Sequence, residues 1–249
     1  MNSVLLALLF AIVAFIYSSV GFGGGSSYSA LLILAGVSYR FIPAISLACN
    51  IVVVSGNSLN YLRSGDFEKR LFLIPTIFSV PMAYFGGLLD VSKMVFMILL
   101  CGALLVTGLE LLFGYRNYTD DGNYKKLSPL LGGAIGGVLG FLAGITGIGG
   151  GIFLAPILYK LRAGKPKQIA AAASLFILVN SISGLIGQLQ KNAFNSQLLQ
   201  FWYLPIAVMV FGQLGNRIAI KLMAQKYIAL MTAILVLFVA IQLFIKIVK

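Results

Sequence analysis

The residues best placed to do chemistry form two glycine clusters, Gly21-Phe22-Gly23-Gly24-Gly25 and Gly147-Ile148-Gly149-Gly150-Gly151. Each closes one apolar stretch and opens a shorter one. They start 126 positions apart (147 minus 21), about half of the 249-residue chain. A helix that begins at such a cluster has four first-turn N–H groups without intrahelical partners. Its dipole adds partial positive charge at the same end. In lipid those donors require an acceptor, and an anion supplies one. Glycine permits positive φ in the turn and lets a ligand touch the backbone. The predicted anion-binding residues are therefore Gly23, Gly24, Gly25, Ser26 and Ser27 from the first cluster. Thr146, Gly149, Gly150, Gly151 and Ile152 are those of the second, and Ser29 adds a further hydroxyl near the first. A plainer alternative is that the glycines only let re-entrant loops pack tightly; their duplication favours binding. The same letters satisfy a dinucleotide glycine fingerprint, but no strand or βαβ unit surrounds either copy.

Other chemistries find little support. The six acidic residues are Asp66, Glu68, Asp90, Glu110, Asp120 and Asp121, all in loops, at loop edges or in a last helical turn. No carboxylate falls mid-segment, so no proton or sodium ligand of that kind is offered. No lysine or arginine falls there either, and a bound anion would be held by backbone and neutral side chains. The chain has no histidine, which removes imidazole metal ligands and a histidine base. Cys49 and Cys101 lie inside apolar segments without CxxC or zinc spacing. They read as small buried hydrophobes. No metal and no cofactor is expected.

What must position the clusters is a bundle in a bilayer. The chain is 60% hydrophobic and 10% charged, against roughly 25% charged in soluble domains. The net charge of +12 sits in short loops between apolar runs, which argues against a nucleic-acid partner and for the positive-inside rule. The first twenty residues lack a basic n-region, and a retained first helix is expected rather than a signal peptide. Predicted segments run from Asn2 to Val20, Ser26 to Ala35, Ala44 to Leu62, Leu71 to Leu89 and Val91 to Phe113. The second half repeats the plan with Pro129 to Ile145, Ile152 to Leu161, Ile169 to Leu189, Leu198 to Leu214 and Tyr227 to Ile247. A basic loop is expected between the last two.

Ser46, Asn50, Asn57 and Asn60 fall within roughly 40° of Ser46 on one helical face, at ~100° per residue. Ser174, Ser181 and Gln188 recur at seven-residue spacing on another segment. Such stripes face protein or water rather than lipid. They read either as interhelical glue or as the lining of a substrate path. Gly132, Gly136, Gly140 and Gly144 recur every fourth residue, a ridge suited to close packing. Beyond the glycines, Ser46 matches Ser174, Gly56 matches Gly184 and Asn60 matches Gln188 at a separation of 128, as in an old duplication.

Charge counting sets the topology. If each glycine-broken pair is a hairpin entering and leaving on one side, 13 of the 18 basic residues share a face. If each pair crosses once, the faces carry 9 each. The hairpin arrangement gives the bias that the positive-inside rule requires. The predicted fold is an all-α membrane protein, an inverted repeat of two five-segment halves, each starting with a glycine-broken helical hairpin. The halves are 1–113 and 128–249, joined by a cytoplasmic linker at 114–127, with both termini external in the cell membrane. The hairpin tips then meet near the midplane, as in inverted-repeat transporters.

The glycine clusters, with Pro156 downstream of the second, resemble the repeated motif of the TauE/SafE (sulfite exporter, TSUP) family. The first copy departs from it, with Ala30 where the second has Pro156. The resemblance covers nearly the whole chain. It implies transport of a small sulfur-containing anion or organic acid: sulfite, thiosulfate, sulfoacetate or another organosulfonate. Outward movement of an anion needs no coupling ion, since it is favoured by about 2.3 kcal/mol per charge per 100 mV. Expected partners are the anion and the lipid bilayer, with a second copy of the chain left open. Alternatives are a sulfur-handling membrane enzyme using Cys49, import of an organic acid with protons, or an assembly subunit.

Overall fold

The computed structural model describes residues 2–19, 21–109, 112, 122, 124–192, 196–222, 233–234, 237–238, 240–245 and 247. Those residues are helical or in turns, and no strand occurs among them. The helices are α1 (Ser3–Ser19), α2 (Gly25–Leu34), α3 (Ile42–Ser64), α4 (Lys69–Leu88) and α5 (Lys93–Leu109). They continue with α6 (Pro129–Thr146), α7 (Gly151–Lys160), α8 (Pro166–Asn192), α9 (Ser196–Leu199) and α10 (Tyr203–Leu222).

Local sequence explains most boundaries. Pro43 and Pro129 sit in the first turns of α3 and α6, where a missing N–H costs nothing. Gly65 and Gly147 end α3 and α6 in the left-handed conformation. Helices α3, α4, α6 and α8 are long and apolar enough to cross a membrane. By contrast α2 and α7 have 10 residues each, or ~15 Å, about half of a hydrocarbon core.

One predicted span is corrected. The stretch from Leu198 to Leu214 is not one helix. After α9 the amides of Phe201 and Trp202 bond the carbonyls of Leu198 and Leu199 at 3.1 and 3.2 Å, closing a turn. Helix α10 then starts at Tyr203, with Pro205 in its first turn. It runs on to Leu222, so Arg217 and Lys221, expected in a loop, lie on a helix. Of the predicted span from Tyr227 to Ile247, residues 233–234, 237–238, 240–245 and 247 are described and helical, and the rest lies outside the described residues, as does most of the linker 114–127.

Polar side chains share the interior with an apolar core, and large apolar ones also face outward. Ser46, Asn50, Asn57, Ser58, Ser174, Asn180 and Ser181 are buried, while Ile77, Phe78, Val106, Val138 and Phe244 are more than half exposed. A ring of exposed large hydrophobics around a polar seam suits lipid.

The glycine ridge of α6 packs on α4. A Cβ at Gly136, Gly140 or Gly144 would overlap the backbone carbonyls of Pro75, Ser79 and Ala83 respectively. The partners rise together, so α4 and α6 run parallel. Across the centre, Ser58 meets Ser174 at 3.2 Å and Leu47 reaches Gly184, so α3 and α8 run antiparallel. The helix pairings also repeat. Helix α4 packs on α6 and α8 as α10 packs on α1 and α3, and α2 lies on α3 as α7 lies on α8.

Contacts gather the loops on two faces. On one, the Lys125 amide bonds the Arg162 carbonyl at 2.9 Å, and Gly164 lies against Leu71. The end of α7 therefore returns to the level where α6 begins, and these two helices form a hairpin. On the other face, Lys191 Nζ donates to the Leu89 carbonyl at 2.9 Å. Beside it, the Arg40 guanidinium is held above its ordinary range by its hydrogen bond to Tyr39 and by Asp90.

Candidate functional site

The two glycine elbows meet. Gly24 and Gly150 are the residues immediately before α2 and α7, with φ of 92° and 77°. L side chains rarely adopt such angles, and a Cβ would also collide, at Gly24 with Tyr28 and Val13 and at Gly150 with Phe176. Gly25 and Gly147 touch so closely that a Cβ on Gly25 would lie 2.8 Å from the Gly147 carbonyl oxygen.

Helix α3 fastens them. Ser46 Oγ lies 2.9 Å from the Gly25 carbonyl and 3.0 Å from the Gly147 carbonyl, sharing one proton between the halves. Asn50 Nδ2 donates to the Gly147 carbonyl at 3.3 Å, and its amide is wedged against Gly23, Gly25 and Gly149. Ser29 Oγ donates to the Thr146 carbonyl at 3.2 Å. The carbonyls of Gly25, Thr146 and Gly147 are thus occupied.

The amides are not. The first intrahelical bond of α2 is Tyr28 N to Gly24 O at 3.0 Å. Among the described residues, the N–H groups of Gly25, Ser26, Ser27 and Ile152 have no acceptor. All four residues are buried. They adjoin a narrow cleft lined by Tyr17, Phe22, Gly23, Gly24, Gly25, Ser26, Ile148, Ile152 and Ile177. The cleft is pinched, with no room for a water-sized sphere. Its walls bring together the starts of α2 and α7, unpaired amides and apolar side chains.

Other predicted residues fall at various places around it. Ser26 and Ser27 hydroxyls pair with Tyr17 Oη at 3.3 and 2.9 Å. Thr146 turns its hydroxyl back to the Leu142 carbonyl at 2.7 Å, so it adds no donor to the cleft. Ser181 Oγ is buried without a partner, 3.0 Å from where a Cβ on Gly149 would stand. Asn57 is buried with neither polar atom bonded, and Asn50 Oδ1 is likewise unpartnered. Ser174 is spent on Ser58. Gln188 Nε2 donates to the Gly144 carbonyl at 2.8 Å, joining α8 to α6. Asn60 departs from the predicted stripe. It is exposed, as are Leu59 and Leu62 beside it.

Four of the cleft's residues, Tyr17, Phe22, Ile148 and Ile177, were not singled out as site residues from sequence. Tyr17 was one hydroxyl in an apolar run; its signal is its place one turn before the glycines. Ile148 and Ile177 look like any buried isoleucine until the chain is folded. Cys49, the nucleophile of an enzymatic reading, packs within the apolar core as a free thiol. Among the described residues no group of His, Cys, Asp or Glu could hold a metal ion.

Comparison with known proteins agrees with this architecture. A probable membrane transporter protein of Sinorhizobium fredii is 29% identical over 240 residues, covering 96% of each chain. One from Bacillus subtilis is 26% identical over 269 residues, covering 95% of this chain and 96% of its own. A third, from Methanocaldococcus jannaschii, is 30% identical over 203 residues, with 76% and 74% covered. No solved structure matches the chain at a significant level. The profile described as Sulfite exporter TauE/SafE matches residues 6–243, from the first turn of α1 past both elbows and α10. A bundle with apolar flanks and a polar seam, matched over that length, places this multi-pass membrane protein in the sulfite exporter TauE/SafE family of transporters.

Proposed function

We propose that the protein carries a small sulfur-containing anion outward across the cell membrane, by alternating access around the starts of α2 and α7. Sulfite, thiosulfate and an organosulfonate such as sulfoacetate are the candidates. One observation carries the reading: unpaired first-turn amides from α2 and α7 adjoin a single cleft. An anion there satisfies the donors and both helix dipoles. The pinched cleft corresponds to a closed stage of the cycle. Asn50, Asn57 and Ser181, with buried unpartnered polar atoms on α3 and α8, line the route that opens from it.

The halves, 1–113 and 128–249, are read as an inverted repeat. The antiparallel run of α3 against α8, and helix pairings that survive exchange of the halves, support this. Basic residues support the orientation. Lys69, Arg70, Lys125, Lys126, Lys160, Arg162, Lys165 and Lys167 belong to the loops gathered on one face, against Arg40, Lys93 and Lys191 on the other. The richer face, with the linker, is cytoplasmic, and both termini are external. Outward flow of an anion then follows the membrane potential.

Purified protein in liposomes should release loaded, labelled sulfite or sulfonate faster than protein-free liposomes. Absence of flux for every such anion would sink the reading. Gly24→Leu and Gly150→Leu, which strain the elbow backbone, should each abolish flux while leaving most of the protein expressed.

A further inference from the structure

We infer that the cleft opens by rocking of two rigid bodies, and that neither body is one half of the chain. The first body is α1, α2, α3 and α10; the second is α4, α6, α7 and α8. Each borrows a helix from the other half, α10 in the first and α4 in the second. This rests on the transport reading above and states which parts move.

Inside each body, backbones touch. In the second, a Cβ at Gly136, Gly140 or Gly144 of α6 would overlap carbonyls of α4, and one at Gly187 of α8 would overlap the Tyr84 carbonyl, also on α4. In the first, a Cβ at Gly215 of α10 would overlap the Phe15 carbonyl of α1, and one at Gly56 of α3 would overlap the Gln213 side chain of α10. Helices α2 and α7 lie on α3 and α8, one pair in each body. Packing this close does not deform gradually, so each set moves as a unit.

Between the bodies the contacts are of another kind. Among the described residues they include single side-chain hydrogen bonds: Ser58 to Ser174 and Ser29 to the Thr146 carbonyl, both at 3.2 Å, and Ser46 and Asn50 to the Gly147 carbonyl at 3.0 and 3.3 Å. Each such bond contributes little net stability and is readily exchanged for another. Backbones of the two bodies approach at Gly147, which lies against Pro43 and Gly25; the pivot is placed there. Beside it Asn50 Oδ1 and Ser181 Oγ, one from each body, are buried without a partner. Such atoms call for a water, an ion or a second position of the boundary.

The cleft lies on this same boundary. Tyr17 and the elbow 22–26 wall it from the first body, and Ile148, Ile152 and Ile177 wall it from the second. As it stands it admits no water-sized sphere, and displacing one body against the other widens it. The chain passes from the first body to the second through the loop 65–68, which opens on Gly65 at φ 77°. A short loop of this kind is where a hinge absorbs backbone rotation.

The test is distance measurement by pulsed electron resonance on the full chain in liposomes, with Cys49 and Cys101 replaced by alanine and gadolinium labels on paired cysteines. Leu5, Leu214, Leu131 and Ile186 are exposed and lie on α1, α10, α6 and α8. Leu5→Cys with Leu214→Cys reports inside the first body, and Leu131→Cys with Ile186→Cys inside the second. Leu5→Cys with Leu131→Cys, and Leu214→Cys with Ile186→Cys, report across the boundary. When sulfite or methanesulfonate is added, the inside distances should stay single and unchanged, and the crossing distances should shift or split. Inside distances that move as much as the crossing ones, or crossing distances that stay single and fixed while anion flux proceeds, would overturn the two bodies and leave transport standing. No flux of sulfite or methanesulfonate through the unlabelled protein would overturn the transport reading itself.

Discussion

Ser46 holds both elbows at once, since its hydroxyl lies within 3.0 Å of carbonyls from each half. Removing it leaves two buried carbonyls to share what Asn50 can give. An unsatisfied buried acceptor costs about 1–3 kcal/mol. Ser46→Ala should lower the thermal midpoint in detergent and slow flux several-fold, whereas Ser46→Thr, which keeps the donor, should recover most of both. A midpoint and flux unchanged in the alanine variant would show that the hydroxyl does not fasten the junction. This residue was legible in sequence, because Ser46, Asn50 and Asn57 share a helical face. Asn60 shares that face too, yet it is exposed; angle is written in the sequence and burial is not. Tyr17 stayed hidden for the opposite reason. Its role depends on α2 folding back beside α1, where Tyr28 stacks on Phe10 at 4.6 Å between centroids.

At the scale of elements, the ridge on α6 tolerates no side chain where it meets α4. A Cβ at Gly140 would overlap the Ser79 carbonyl, whereas one at Gly137 would come no closer than 3.8 Å to Phe78. Gly140→Leu should abolish the monodisperse peak in size-exclusion chromatography, and Gly137→Ala should leave it intact. Equal profiles for the two would contradict the packing described. The ridge itself was readable as a four-residue repeat, as were helix starts at prolines and breaks at glycines. Its partner was not. Small residues announce that something comes close, and only the folded chain says that it is α4, running through Pro75 and Pro81 in the other half. The break between α9 and α10 was missed because Phe201, Trp202 and Tyr203 keep the stretch apolar across the turn.

For the whole molecule, the gathered loops give a prediction about sidedness. Cys49 and Cys101 are buried and can be replaced by alanine as a background. In intact cells an impermeant maleimide should label Ser92→Cys, and should reach Lys69→Cys or Lys165→Cys only after permeabilisation. Labelling of all three from outside would reverse or dissolve the orientation proposed here. Sequence carried this much of the plan because loop charge and segment length are local quantities. The meeting of the elbows followed from reading the halves as inverted, but Tyr17, Ile148 and Ile177, which wall the cleft between them, are brought there only by folding.

The pairing of α4 with α6 and α8 bears on how the protein is made. Translation delivers α4 well before either companion exists. Until the ribosome has completed α6, the track along Pro75, Ser79 and Ala83 on which its glycines will seat waits beside lipid or insertion machinery. A nascent chain halted before α6 is thus an unfinished membrane intermediate, and assembly is a post-insertion event that seats a waiting helix between late arrivals.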